Sequence, residues 1–179
     1  MSDLVTEEML ERLHRQASQA TLHFVYTMKA MMSTRRKRDP RRVMADLMEQ
    51  RVRTLLEGRG LFVTGTRHKE SFDLLAQGVR IEVKAATWDG RRYQCNLHDN
   101  KADVLVWGCL DGTVHWFVIP FGEVRGLPPS RGLRVLNITS HDPRDYVGKW
   151  MPFYERWETI DELVAAGRNA WQPALIPPV

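Results

Sequence analysis

Asp73, Glu82 and Lys84 are the residues of this chain whose types and spacing come nearest to a reactive group. Residues 79–86 alternate as a strand does, with Val79, Ile81, Val83 and Ala85 on one face and Arg80, Glu82 and Lys84 on the other. The alternation sets a carboxylate and an ammonium side by side, about 6.5–7 Å apart at Cα. Ala76-Gln77-Gly78 reads as a hairpin turn, which brings Asp73 on a preceding short strand to the neighbouring position. Two carboxylates converging from adjacent strands form a hard-oxygen site suited to Mg²⁺, a cation that keeps several waters and binds phosphate oxygens. Lys84 beside them can orient an attacking water or help deprotonate it, and can balance the charge of a phosphorane-like transition state. A Glu-x-Lys triplet alone is common and reads more readily as an ion pair on a solvated strand.

The elements that must position these residues follow from periodicity. Residues 6–32 lack Gly and Pro and place Met9, Leu13, Ala17, Ala20, Phe24 and Met28 near helical spacing, so a long helix is expected, with an apolar stripe that needs a partner. Asp39-Pro40 supplies an N-cap and a first helical residue for a second helix ending near Glu57. Val43, Leu47, Val52, Leu55 and Leu56 form its buried face, and Gly58 to Gly60 stop it. Strands are expected at 61–63, 72–75, 79–86, 92–97, 103–109 and 114–119, so the centre is a sheet. Beyond Pro120 the signals weaken to an edge strand over 134–138, a helix over 155–166 and a Pro-rich tail.

At 179 residues, with 43% hydrophobic and 27% charged residues, the chain has the composition of one folded domain. No run approaches the roughly 20 uncharged apolar residues of a membrane span, and the acidic N-terminus lacks the order of a signal peptide. A cytoplasmic protein with no membrane partner is expected. Cys95 and Cys109, the only cysteines, read as core thiols. The net charge of +4 is local: residues 33–59 hold nine Lys/Arg against four Asp/Glu, centred on Arg35, Arg36, Lys37, Arg38, Arg41 and Arg42. That cluster reads either as a phosphate contact or as a solvated basic loop. There is no phosphate-binding Gly-x4-Gly-Lys-Ser/Thr loop. His98-Asp99 and His141-Asp142 lack a third partner at ligand spacing and read as turn or surface residues. The six tryptophans read as packing residues, with Trp88, directly after the Lys84 strand, placed to reach a substrate.

The stretch Ser71-Phe-Asp-Leu-Leu-Ala-Gln-Gly-Val-Arg-Ile-Glu-Val-Lys-Ala-Ala-Thr87 resembles the active-site hairpin of the PD-(D/E)XK nuclease superfamily. Phe72 stands where that family usually has Pro; Asp73, not the Pro, is the metal ligand there. Upstream, Leu47-Met-Glu49-Gln-Arg-Val52 is similar to the first core helix, which supplies an acidic residue. Downstream, 93–97, 102–106 and 116–120 look like the branch of group I intron homing endonucleases and small restriction-enzyme-like proteins, with Gln94 on a Gln-bearing strand, an Ala-Asp-hydrophobic strand and a strand ending in Pro. The resemblance covers about residues 43–120.

The resemblance implies a restriction-endonuclease-like α/β fold, a mixed central sheet flanked by helices, with a helical extension over 1–38, a nuclease domain over 39–170 and a tail over 171–179. It implies a Mg²⁺-dependent DNA endonuclease, with Mn²⁺ able to substitute. Asp73, Glu82 and the Val83 carbonyl would bind the metal, Glu49 would support it, and Lys84 would position the attacking water. Gln94 shares the polar side of its strand with Arg92 and Asn96 and is expected to face Lys84, and the basic run would hold the DNA backbone. A homodimer or higher oligomer is expected from two-strand cleavage by a one-site chain. A structure-specific junction resolvase and a non-catalytic nucleic-acid-binding module on the same fold are the alternatives.

Overall fold

The computed structural model describes residues 40–65 and 71–170; the helix expected over 6–32, the Asp39 cap and the basic residues Arg35 to Arg38 lie outside them. Helix α1 (Pro40–Gly58) is followed by strands β1 (Val63–Gly65), β2 (Leu74–Ala76), β3 (Val79–Thr87), β4 (Tyr93–Leu97), β5 (Val104–Asp111) and β6 (Thr113–Pro120). A short helix α2 (Phe121–Arg125), strand β7 (Arg134–Ile138) and helix α3 (Glu158–Ala170) complete the described chain.

Five strands form a mixed sheet in the order β1-β2-β3-β5-β6, in which only β3 and β5 run parallel. Strand β5 is buried along Val104 to Leu110, as a strand covered on both faces must be. On one face Val79, Ile81, Val83, Val104, Val106 and Val118 meet Val43, Leu47, Met48, Val52 and Leu56 of α1 and Ile160 and Val164 of α3. The α1 residues recur every three or four positions and make one stripe. On the other face Leu105, Trp107, Cys109, Phe117 and Ile119 meet Tyr93, Cys95 and Leu97 of β4 and Leu136 and Ile138 of β7.

Strand β4 is therefore not part of the central sheet. It leaves β3 after Thr87, pairs antiparallel with β7, and lays a two-stranded ribbon over the sheet. The apolar residues Tyr93, Cys95 and Leu97 explain this: their side of β4 needs cover, and the second sheet face supplies it.

Local geometry fixes the ends. Helix α1 stops in a Schellman motif, with the Gly60 N–H donating to Glu57 O (2.9 Å), Leu61 N–H to Leu56 O (3.1 Å), and Gly60 at φ 81°. Gln77 and Gly78, at φ 47° and 96°, make the tight turn that hairpins β2 onto β3. The parallel start of β3 and β5 is clamped by Asp103, which accepts from Arg80 N (2.9 Å), Nε (2.9 Å) and Nη2 (2.6 Å). Its own N–H donates to Arg80 O and its carbonyl accepts from Phe121 N, both at 2.8 Å.

The terminal helix begins at Glu158, three residues later than its periodicity predicts, because Glu155 is engaged at the outer edge of β6. Its main-chain N–H donates to Trp116 O (2.8 Å), and its carboxylate accepts from Trp116 N (2.9 Å) and Trp157 Nε1 (3.0 Å). That edge is thereby covered rather than left open to another strand. Among the described residues, no helix is long and apolar enough to cross a membrane.

Candidate active site

Strand β3 is nine residues long, yet β2 pairs only with Val79 to Ile81. From Glu82 onward that side of β3 has no strand neighbour among the described residues. Asp73, just ahead of β2, closes the gap: its N–H donates to Ile81 O (2.9 Å), and its Oδ2 accepts from Val83 N (2.7 Å). The side chain thus takes the main-chain donor that a continuing ladder would have taken, which holds the carboxylate against the opened edge.

Glu82 and Lys84 stand on the ribbon side of β3, the face opposite Val79, Ile81 and Val83, as alternation requires. Glu82 is 8% exposed, and its Oε1 forms an ion pair with Lys84 Nζ. The same ammonium lies 3.9 Å from Asp73 Oδ2 and donates to Val83 O at 3.3 Å. Two carboxylates and a main-chain carbonyl therefore converge on one cation. Glu49, half-buried on α1, faces this group from the helical side. Burial raises its pKa to about 7, and the negative charges of Asp73, Asp46 and Glu82 add to the rise against the opposing pull of Lys84.

The other groups respond in kind. Burial pushes the Glu82 carboxyl above its ordinary value; Lys84 draws it back in part, while Asp73 reinforces the rise. Burial works against charge on Lys84, but Glu82 and Asp73 more than offset it and hold its pKa above the usual lysine range. Lys84 is thus an ammonium at neutral pH, a hydrogen-bond donor and a positive charge. The acid groups around it outnumber it, and their excess negative potential adds to the burial that keeps Glu49 partly protonated.

The donor set suits a hard divalent cation. Its oxygens already converge on a positive charge, and a small ion that completes its shell with water needs few protein ligands. Among the described residues no group of three or more His, Cys, Asp or Glu side chains is placed to hold a metal ion. The donors gathered here are the two carboxylates and the Val83 carbonyl, all oxygens.

Asp73, Glu82, the Val83 carbonyl and Lys84 are thus brought together, with Glu49 within electrostatic reach. Gln94 is not. Its Nε2 donates to Asn96 Oδ1 (2.9 Å) on the outer face of β4, and Cys95, on the inner face, is the β4 residue that feels Glu82 and Lys84. Burial pushes the Cys95 thiol up to about 12, so it lines the site as a neutral group. The alternation of Tyr93, Cys95 and Leu97 contains that signal, because the apolar side of a covering strand must face the sheet. Arg42 is exposed at the start of α1. Arg41 lies in the same helix turn, with its side chain outside the described set. Trp88 packs against Tyr93 and His141, with ring centroids 5.3 and 5.2 Å apart. The two His-Asp pairs serve loops: Asp99 pairs with Arg134 (3.1 Å), and Asp142 caps the turn at Pro143–Asp145 by accepting from Arg144 N (2.9 Å).

No family model matches the chain, and no curated relative matches it by sequence. Among solved structures, the bacterial homing endonuclease I-Ssp6803I is similar, with a TM-score of 0.60 over 72% of this chain and 98% of that one. The two sequences are 18% identical, so the likeness is one of fold: a mixed sheet flanked by helices.

Proposed function

We propose that this protein is a Mg²⁺-dependent DNA endonuclease. The observation that carries the reading is the convergence of Asp73 Oδ2, Glu82 Oε1 and the Val83 carbonyl on the Lys84 ammonium, at the edge of β3 that β2 leaves open. The fold likeness to an enzyme that is itself a homing endonuclease supports DNA as the substrate class.

In this reading Asp73, Glu82 and the Val83 carbonyl hold the divalent cation, and Glu49 supports it directly or through water. When bound, the cation supplies Lewis-acid polarisation of the scissile phosphate and a nucleophile of lowered pKa. The residues do the rest. Glu82 and Asp73 keep Lys84 charged, so its Nζ acts as a donor that orients the attacking water and offsets the charge gathering on the phosphate oxygens. Buried Cys95 and Trp107, on the same side of the sheet, keep the local dielectric low, which strengthens each of these interactions. Basic residues at 35–38, with Arg41 and Arg42 in the first turn of the Glu49 helix, hold the DNA backbone, and cleavage of both strands calls for two copies of this one-site chain.

A cleavage panel of supercoiled, linear, branched and single-stranded DNA with Mg²⁺ or Mn²⁺ tests this, with Asp73→Ala as control. Metal-dependent cutting by the wild type and none by the variant is expected. Cutting of no DNA form with either ion, together with no heat of Mn²⁺ binding in calorimetry, rules the reading out. Preference for four-way junctions over duplex would redirect it to a junction resolvase.

A further inference from the structure

The ribbon of β4 and β7 has two unlike faces. Tyr93, Cys95, Leu97, Leu136 and Ile138 point to the central sheet and are buried. The opposite positions are Gln94 and Asn96 on β4 and Val135 and Asn137 on β7, with Arg92 one residue ahead of β4. Cross-strand register sets Gln94 opposite Asn137 and Asn96 opposite Val135. Arg92, Asn96 and Val135 are exposed. None of these outward positions carries a carboxylate; Arg92 at their head pairs with Asp89, its Nε 3.7 Å from Asp89 Oδ2, in an exposed contact that a stronger partner can replace.

We infer that this outward face is a base-reading surface that enters the major groove of duplex DNA, with Asn96 and Arg92 as specificity-determining residues. The inference rests on the reading of the protein as a DNA endonuclease and adds where sequence is read.

Three observations carry it. The first is size: a two-stranded antiparallel ribbon fits the major groove, about 12 Å wide, and strands are known to dock there. The second is chemistry and spacing. Side-chain amides pair bidentately with adenine N6 and N7, guanidinium with guanine O6 and N7, and a small apolar group contacts the thymine methyl. Gln94 and Asn96, two residues apart on one strand, are separated by about 6.8 Å, or two base-pair rises of about 3.4 Å. The third is an ordered amide pair: Gln94 Nε2 donates to Asn96 Oδ1 at 2.9 Å, and among the described residues neither side chain makes another hydrogen bond, which leaves Gln94 Oε1 and Asn96 Nδ2 for solvent or a base edge. Asn137 Oδ1 is itself buried and is not part of the reading surface. The ribbon is also well placed, since Cys95 on its inner face lies within electrostatic reach of Glu82 and Lys84.

The test is selection from a randomised duplex pool by the full chain without divalent cations, so that binding is not followed by cutting. Wild type, Asn96→Ala and Asn96→Asp are compared, with melting curves to confirm folding. We expect wild type to enrich a motif. Asn96→Ala should relax one base position by about 10-fold or more, with affinity for unrelated duplex unchanged. Asn96→Asp should move the preference there toward cytosine, whose N4 donates to a carboxylate. An identical motif with identical discrimination in the folded variants overturns the inference. Duplex binding by wild type with no motif also overturns it and leaves the nuclease reading standing. No duplex binding by wild type removes both.

Discussion

Asp73 accepts the main-chain N–H of Val83 at 2.7 Å, so one carboxylate oxygen both terminates a strand pairing and stands 3.9 Å from the Lys84 ammonium. Structure and charge at this site are carried by the same atom, and the two roles separate by substitution.

Asp73→Asn keeps an oxygen that accepts from Val83 and removes the charge, whereas Asp73→Ala removes both. Asn should abolish Mn²⁺ binding, read by calorimetry, with a urea midpoint close to wild type. Ala should in addition lose about 1–3 kcal/mol of stability, the cost of a hydrogen bond to a charged group. Equal stability of the two variants would show that the Val83 contact contributes nothing.

Lys84 occupies the position toward which the oxygen ligands point, so it neutralises Glu82 and Asp73 when no metal is bound. Lys84→Ala should eliminate cleavage and destabilise the metal-free protein by about 1–3 kcal/mol, reduced from the cost of a fully buried pair because the lysine side chain is 35% exposed. Mg²⁺ should then raise the melting temperature of the variant by more than that of wild type. An equal or smaller rise would argue against a shared position for ammonium and metal.

Glu49 titrates near 7 in the folded chain against an ordinary value of 4.5, so the folded protein holds this proton more tightly than the unfolded one. The sign follows from linkage: the contribution is complete below about pH 4.5 and is lost as pH rises through about 7. Urea midpoints of metal-free protein should therefore fall between pH 5 and 8, and Glu49→Gln should flatten that slope. A slope unchanged by the substitution would place the titrating group elsewhere.

Asp103 bonds three donors of Arg80 and bridges β3, β5 and the start of α2. Asp103→Ala should cost about 1–2 kcal/mol, a partly exposed pair being discounted for solvent. Metal binding per folded molecule should stay unchanged, because no atom of this clamp touches the Lys84 group. Loss of metal binding in a fully folded variant would make Asp103 a positioning residue for the site.

Asp73, Glu82 and Lys84 were legible in the sequence because they obey local rules. Alternation over Val79 to Lys84 put Glu82 and Lys84 on one face and the Ala76-Gln77-Gly78 turn returned Asp73 to them, whereas Glu49 came only from the resemblance of its helix to a family pattern. Strand pairing was not legible, since β4 has the same alternation whether it joins the central sheet or covers it. Only packing decides that, because Tyr93, Cys95 and Leu97 are buried by a sheet face far along the chain. This is why Gln94 was expected near Lys84 while Cys95 lies there. The start of α3 was hidden for a similar reason: Glu155 suits a helix, but the open edge of β6 claims both its backbone and its carboxylate.

By itself, then, the sequence determined which side chains could meet across one hairpin and on one helix face, because those relations depend on turns and periods a few residues long. The tertiary structure decided that β2 begins only at Leu74 and leaves the rest of that β3 edge to Asp73, that Cys95 and not Gln94 lines the lysine, and that the amides of β4 face outward. Each of these depends on which distant surface covers which strand face, and burial of apolar area against a particular partner is a property of the whole chain.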